Sequence, residues 1–158
     1  MSNVTMHIEV RIDDLSSIAV QTLIAEHLAG MQSGSPPGQV NALAFENLRQ
    51  PEVTFWSAWR GGQLCGCGAL KELDPSRGEV KSMRTRAAYL RAGVGQAVLD
   101  EIVRTATSRG YQHLLLETGT GEGFAAAHSL YLRNEFGWCG AFGDYKATDF
   151  NVFMIRKL

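Results

Sequence analysis

The residues able to do chemistry fall in a few places along this chain. Leu90-Arg91-Ala92-Gly93-Val94-Gly95-Gln96 is a glycine-bearing turn with one cation. Glu79 opens a polar stretch that runs to Thr85, and Glu117 ends an apolar one. Tyr131 stands among apolar residues, and the thiols are Cys65, Cys67 and Cys139. A glycine turn that feeds a helix can hold a pyrophosphate. The first N–H groups of a helix lack partners, the dipole end is positive, and glycine lets an anion approach closely. Arg91 adds a full charge. A carboxylate such as Glu79 or Glu117 can take a proton, and a phenol such as Tyr131 can give one. The thiols carry little chemistry. Three cannot all pair within one chain, and no His or further Cys stands near the CxC at metal-ligand spacing. Cys139 has no visible His or acid neighbour to activate it. Cys65 and Cys67, pointing the same way on a strand, are expected to be small buried residues in a reducing cytoplasm.

These groups need a scaffold, and 158 residues with 45% hydrophobic and 20% charged side chains suit one globular domain, 1–158. The net charge of −1 gives no field for nucleic acid or an anionic membrane. No apolar run approaches membrane-span length, and Met1 to Glu9 lacks the pattern of a signal peptide. His7 to Ile12 alternates, which predicts a half-buried strand with Ile8, Val10 and Ile12 on one face. Asp13 or Asp14 is expected to cap a helix bearing Leu15, Ile18, Leu23, Ile24, Leu28 and Met31. Pro36 and Pro37 make Ser33 to Gly38 a loop, and Val40 to Leu48 reads as a second helix. Val53–Arg60 and Gln63–Leu70 predict a hairpin about Gly61-Gly62. Asp74 to Gly78 is a turn, and Glu79–Thr85 a polar strand. Val94, Ala97, Val98, Ile102 and Ala106 mark one face of a helix that Gly110 ends. Gln112–Glu117 is a short buried strand, Phe124–Asn134 a helix and Asn151–Lys157 a closing strand. The order β-α-α-β-β-β-α-β-α-β predicts an α/β fold, one mixed sheet with helices on both faces.

Three phosphate-holding loops compete for the glycine turn. A Walker A loop needs Gly-Lys-Ser/Thr, which is absent. A dinucleotide fingerprint fits Gly93 and Gly95, with Glu117 placed as its acid, but Val98 fills the third glycine position. The third is a coenzyme A loop. The stretch EVKSMRTRAAYLRAGVGQAV, Glu79 to Val98, resembles the acetyl-CoA-binding motif of the GCN5-related N-acetyltransferase (GNAT) superfamily. AAAHSLYLRNEF, Ala125 to Phe136, resembles that family's second motif. LETG, FGDY and the terminal VFMIRKL are similar to a bacterial branch of it.

The resemblance implies a mixed, largely antiparallel central sheet and acetyl-CoA as co-substrate, with no metal. The two strands Glu79–Thr85 and Gln112–Glu117 splay apart at a β-bulge in the first. The pantetheine arm lies in the gap along Met83, Arg84 and Thr85. The amides of Arg91, Ala92, Gly93, Val94, Gly95 and Gln96 hold the pyrophosphate, and Tyr131 protonates the departing thiolate. The chain departs from the family pattern at Leu90, where an Arg or Gln is common. It departs again at Glu135, in place of a glycine, with Asn134 expected to take the left-handed turn instead. Phe124 stands where many members bond the cofactor arm through Asn.

Acyl transfer from a thioester to an amine needs a base, an oxyanion donor, an acid for the leaving thiolate and two substrates held together. Glu79 is the expected base, with Glu117 as its rival, and the N–H of Met83 is the expected oxyanion donor. Read without the resemblance, Glu79 is a strand-edge charge and Tyr131 a core tyrosine. Strict alternation puts Glu79, Lys81 and Met83 on one face and Val80, Ser82 and Arg84 on the other. His27, Met31, Ser35 and the loop to Gly38, Glu117 and Tyr145 are expected around the acceptor. The expectation is a soluble cytoplasmic N-acetyltransferase acting on a small amine by direct transfer in a ternary complex. Nucleic-acid and membrane partners are not expected, and a homodimer is common in the family. The alternative is a non-catalytic acyl-CoA-binding or regulatory module on the same fold.

Overall fold

The computed structural model describes the backbone of residues 7–33 and 46–158, and the side chains of 7–27 and 46–158. The expected Ser33–Gly38 loop after Ser33, and the Val40–Leu48 helix up to position 45, lie outside the described residues; Glu46 and Asn47 are helical. The strands are β1 (Ile8–Ile12), β2 (Val53–Arg60), β3 (Gln63–Asp74), β4 (Arg77–Thr85), β5 (His113–Gly119), β6 (Gly137–Cys139) and β7 (Asn151–Lys157). The helices are α1 (Ile18–Ser33), α2 (Val94–Ser108) and α3 (Ala125–Arg133). One sheet runs in the order β1-β2-β3-β4-β5-β7-β6. Every neighbouring pair is antiparallel except β4 and β5.

Two apolar layers sandwich the sheet. Val94, Val98, Leu99, Ile102 and Ala106 of α2 and Tyr131 of α3 pack on Trp56, Leu70, Val80, Leu114, Leu116 and Met154. On the opposite face Val20, Leu23 and Ile24 of α1 pack on Phe55, Leu64, Cys67 and Ala69. Beyond them, on that face, Phe142 and Tyr145 pack with Leu115 and Phe153. Gly61 and Gly62 turn the β2–β3 hairpin with φ of 58° and 78°, a conformation that glycine enters without steric cost.

Several local expectations need correction. Ile12 is 72% exposed, so only Ile8 and Val10 of β1 face the core. Asp13 and Asp14 do not cap α1. They accept from the amides of Leu15 and Ser16, and Ser17 Oγ takes the Val20 amide at 3.2 Å. This turn chemistry delays the helix to Ile18, which is exposed. Of the one or two terminal strands the sequence allows, both form; β6 is three residues long, too short for a period to mark its range.

The larger correction concerns faces. The pairing of β2 with β3 slips between Ala58 and Trp59, which places an extra residue in β3 at Cys65–Gly66. Cys65 therefore packs under α2 while Cys67 packs under α1, and they do not point the same way. Both thiols donate to carbonyls, Cys65 to Ala58 and Cys67 to Ser82, and burial pushes Cys67 up to about 12.

At the end of α3 the left-handed residue is Glu135, with φ 70°, and not Asn134. The Phe136 amide reaches back to the Tyr131 carbonyl at 3.1 Å, and the two rings meet edge-on at 5.6 Å. This is the bond and apolar contact of a Schellman ending, which glycine normally occupies. Glu135→Gly is expected to stabilise the protein by about 0.5–1 kcal/mol, because the left-handed strain outweighs the flexibility gained in the unfolded chain. The exposed Glu135–Arg156 pair it removes contributes little. A melting temperature raised by about 2–4 °C would show it.

Candidate active site

The site begins where β4 leaves β5. Their parallel ladder holds only from Arg77–His113 to Val80–Leu116, and β5 then continues beside β7 to Gly119. Residues 81–85 of β4 thus have no strand partner on their β5 side. The cause is visible in β4 itself. Between Lys81↔Ala69 and Arg84↔Cys67 it holds one residue more than β3, and Ser82 takes φ 57°. An extra residue bends the bulged strand and increases its twist.

The bulge also resets which way the side chains point. Met83 now lies on the α2 side, within the layer of Val98 and Ile102. Lys81 and Arg84 share the face of α1, since their partners Ala69 and Cys67 pack there. The strict alternation expected from the sequence is therefore overturned. Glu79, Lys81 and Arg84 go together, and Met83 opposes them.

On that face Glu79 is 3% exposed and hydrogen-bonded. Its Oε2 accepts the Tyr145 hydroxyl at 2.5 Å and Lys81 Nζ at 3.3 Å, while Lys81 also donates to the Tyr145 oxygen at 3.0 Å. Oε1 accepts no hydrogen bond among the described residues. Burial and the Glu79 carboxylate hold the Tyr145 phenol far above its ordinary range, so it stays a donor to Glu79. Glu117 extends from β5 on the same face, held by Asn151 Nδ2 at 2.8 Å. His27 of α1 completes this side. Its pKa is driven down to about 4, first by burial and then by the Arg84 charge. Four groups expected from the sequence, Glu79, Glu117, Tyr145 and His27, are thus gathered on one face. Ser35 lies outside the described residues.

Tyr131 is on the other face, in the α2–α3 layer, so the expected acid and base do not touch; the parting of β4 and β5 is the route between them. Burial raises the Tyr131 phenol strongly, and its hydroxyl has no hydrogen-bond partner among the described residues. It stands as an O–H donor rather than a base.

The glycine turn fits an anion. Arg91 and Gly93 take φ of 62° and 84°, and Gly93 caps α2 with no side-chain bond. The first helical bond into this cap runs from the Ala97 amide to the Gly93 carbonyl. The amides of Val94, Gly95 and Gln96 are left without an acceptor in the helix. Arg91 is exposed beside them. The Gln96 side chain is engaged elsewhere, in a reciprocal pair with the Asn134 amide at 2.8 and 2.9 Å. Sequence reading missed this tie between the start of α2 and the end of α3. Phe124, at the Asn position of many relatives, packs on Gly119 and closes the space a Cβ there would need. Lys81 entered the sequence reading only as sharing a face with Glu79 and Met83, yet it bridges Glu79 and Tyr145. Its two-residue offset from Glu79 was the available signal. Among the described residues no group of three or more His, Cys, Asp or Glu is placed to hold a metal ion. Burial raises the Cys139 thiol, which does not favour a nucleophile there.

A splayed parallel pair, a left-handed glycine turn at a helix start and a tyrosine on the following helix define an acyltransferase site. The chain belongs to the acetyltransferase (GNAT) family, whose sequence model matches residues 20–138. It is 51% identical over 153 residues to the uncharacterized N-acetyltransferase YsnE of Bacillus subtilis, covering 97% of this chain and 100% of that one. It is 48% identical to the uncharacterized N-acetyltransferase YedL of Escherichia coli over 94% of both chains. A GNAT family acetyltransferase from Elizabethkingia anophelis, solved with acetyl-CoA bound, shares the fold with a TM-score of 0.72 and 15% identity, covering 96% of this chain and 98% of that one. No described helix is long and apolar enough to cross a membrane.

Two outcomes are expected. Tyr145→Phe removes the donor to buried Glu79 and should destabilise the protein by about 1–3 kcal/mol in urea unfolding. His27 has a folded pKa below its unfolded value, so the stability tied to its neutral form is complete above pH ~6.5 and lost as pH falls through about 4. His27→Gln should flatten the stability profile across that window, by up to about 3 kcal/mol at its acid end.

Proposed function

We propose that this acyltransferase moves an acetyl group from acetyl-CoA to a small amine by direct transfer in a ternary complex. The observation that carries the reading is the parting of β4 from β5 beyond Val80–Leu116, with free helix-start amides at one end and Glu79 beside it. Bound acetyl-CoA supplies an activated acyl carbon with a thiolate leaving group.

The residues divide the work. The amides of Val94, Gly95 and Gln96, helped by Arg91 and the turn through Ala92 and Gly93, hold the pyrophosphate. The backbone of Met83, Arg84 and Thr85, unpaired toward β5, lines the pantetheine arm. The Met83 N–H steadies the charge that develops on the carbonyl oxygen. Glu79 takes a proton from the acceptor nitrogen, directly through Oε1 or by way of a water. Tyr145 and Lys81 hold its other oxygen, which fixes the carboxylate in place. The C–N bond forms as the C–S bond breaks, and Tyr131 gives its proton toward the sulfur. Glu117 and His27 flank the acceptor, with His27 neutral and thus a hydrogen-bonding rather than a charged neighbour at neutral pH. The same chemistry supports a cytoplasmic enzyme, where acetyl-CoA is available.

Calorimetric titration should show saturable binding of acetyl-CoA and none of NADH or ATP. Against a panel of amines, Tyr131→Phe and Glu79→Gln should each lower kcat by about 10²–10³-fold while acetyl-CoA affinity stays within a few-fold. Binding of NADH instead of acetyl-CoA would reverse the reading. So would acetyl transfer that is indifferent to both substitutions.

A further inference from the structure

Of the charged side chains that β4 and β5 place on the α1 face of the sheet, four are paired, Arg77 with Asp74 at the far end of β4 among them. Glu79 is held by Tyr145 and Lys81, Lys81 by Glu79, and Glu117 by Asn151. Arg84 is the exception. It is half-buried and makes no hydrogen bond or ion pair among the described residues. Its nitrogens are not shut off from water, so its donors and its charge stay open to a counter-charge arriving from solvent.

The coenzyme's phosphates are not that counter-charge. The anion-holding turn lies at the start of α2, and α2 packs on the opposite face of the sheet from the Arg84 side chain. Gly66 and Thr85, paired across the strands beside Arg84, face α2, while Arg84 and its partner Cys67 face α1. The neighbouring imidazole of His27 offers no negative charge either, and stays neutral above pH ~5.

We propose that Arg84 binds the carboxylate of the acceptor, so that the substrate is an amino-carboxylic acid, a molecule carrying both the amine to be acetylated and a carboxylate. The local charge balance matches such a zwitterion. Glu79 and Glu117 attract the ammonium end before its proton is removed, and Arg84 takes the other. A planar guanidinium grips a carboxylate through two parallel bonds. The Ser82 bulge is what makes this geometry available. Under strict alternation from Lys81, with no bulge, Arg84 would turn toward α2. The assignment rests on the proposed transfer to an amine and names the class of that amine.

The test separates the two ideas. The protein loaded with coenzyme A is titrated calorimetrically with free amino acids, and with the corresponding amino-acid amides, which keep the amine and lack the carboxylate. Acetyl transfer from acetyl-CoA to the same panel is followed by thiol release. Some amino acids should bind about 10–100-fold more tightly than their amides. Arg84→Gln should abolish that preference and Arg84→Lys restore part of it. Coenzyme A affinity and melting temperature in each variant report an intact fold. Equal binding of acid and amide, a preference that survives Arg84→Gln, or no amino acid bound at millimolar concentration would overturn the assignment. Carboxylate-dependent binding without transfer would leave Arg84 in place and count against the proposed reaction instead.

Discussion

The parting of β4 from β5 is the constraint on which the rest of this molecule depends. A parallel pair inside a sheet is normally satisfied along its length, because unpaired backbone groups are costly away from water. Here the ladder stops after four pairs, and one extra residue at Ser82 is the cause. The open edge of 81–85 is a row of backbone groups suited to an extended, amide-bearing ligand. The same opening lies between the α2 face, with the glycine turn and Tyr131, and the α1 face, with Glu79. With the proposed acid and base on opposite faces, the proposed transfer needs its reacting atoms between the strands.

The packing holds that opening in place. The α2 layer sits tightly against β3 and β4, so tightly that a Cβ at Gly68 would overlap Val98 and Met83. The Gln96–Asn134 amide pair ties the anion-holding end of α2 to the end of α3, and Arg156 of β7 donates to the Asn134 carbonyl. Tyr131 stands on the same ending of α3, its ring against Phe136. The position of the proposed acid is thus coupled through short contacts to the turn proposed to hold the coenzyme's phosphates. Glu79 is fixed in a different way, by two hydrogen bonds to one oxygen, one of them from a loop residue 66 positions along the chain.

Much of this was legible in the sequence where a signal is local. The turn at Gly61-Gly62, the helix bearing Val94 to Ala106, the buried strand through Leu114 to Leu116 and the terminal strand all follow from short-range periodicity and turn chemistry. The glycine turn at the start of α2 could be read because its glycines lie between a strand and a helix. Glu79, Glu117, Tyr145 and His27 could be named, and they do share a face. The misplaced features have one kind of cause. A bulge shifts every later side chain to the other face, and nothing in the residues around Cys65 or Ser82 announces it. Ser82 and Glu135 are both polar residues in left-handed conformations that glycine would ordinarily mark, so the usual flag is missing. The caps of α1 went astray because three nearby side chains, Asp13, Asp14 and Ser17, each bond an amide two or three residues on.

Periodicity and turn chemistry therefore mark the order of elements, and two motifs carry the resemblance to the family and the chemical types in the site, since each depends on neighbours within a few residues. Which groups meet is a different matter. The contact of Tyr145 with Glu79, the isolation of Arg84 and the separation of Tyr131 from Glu79 all depend on register between distant strands. Register in turn depends on single extra residues, whose stabilisation comes from packing on both faces and leaves no periodic trace in the chain.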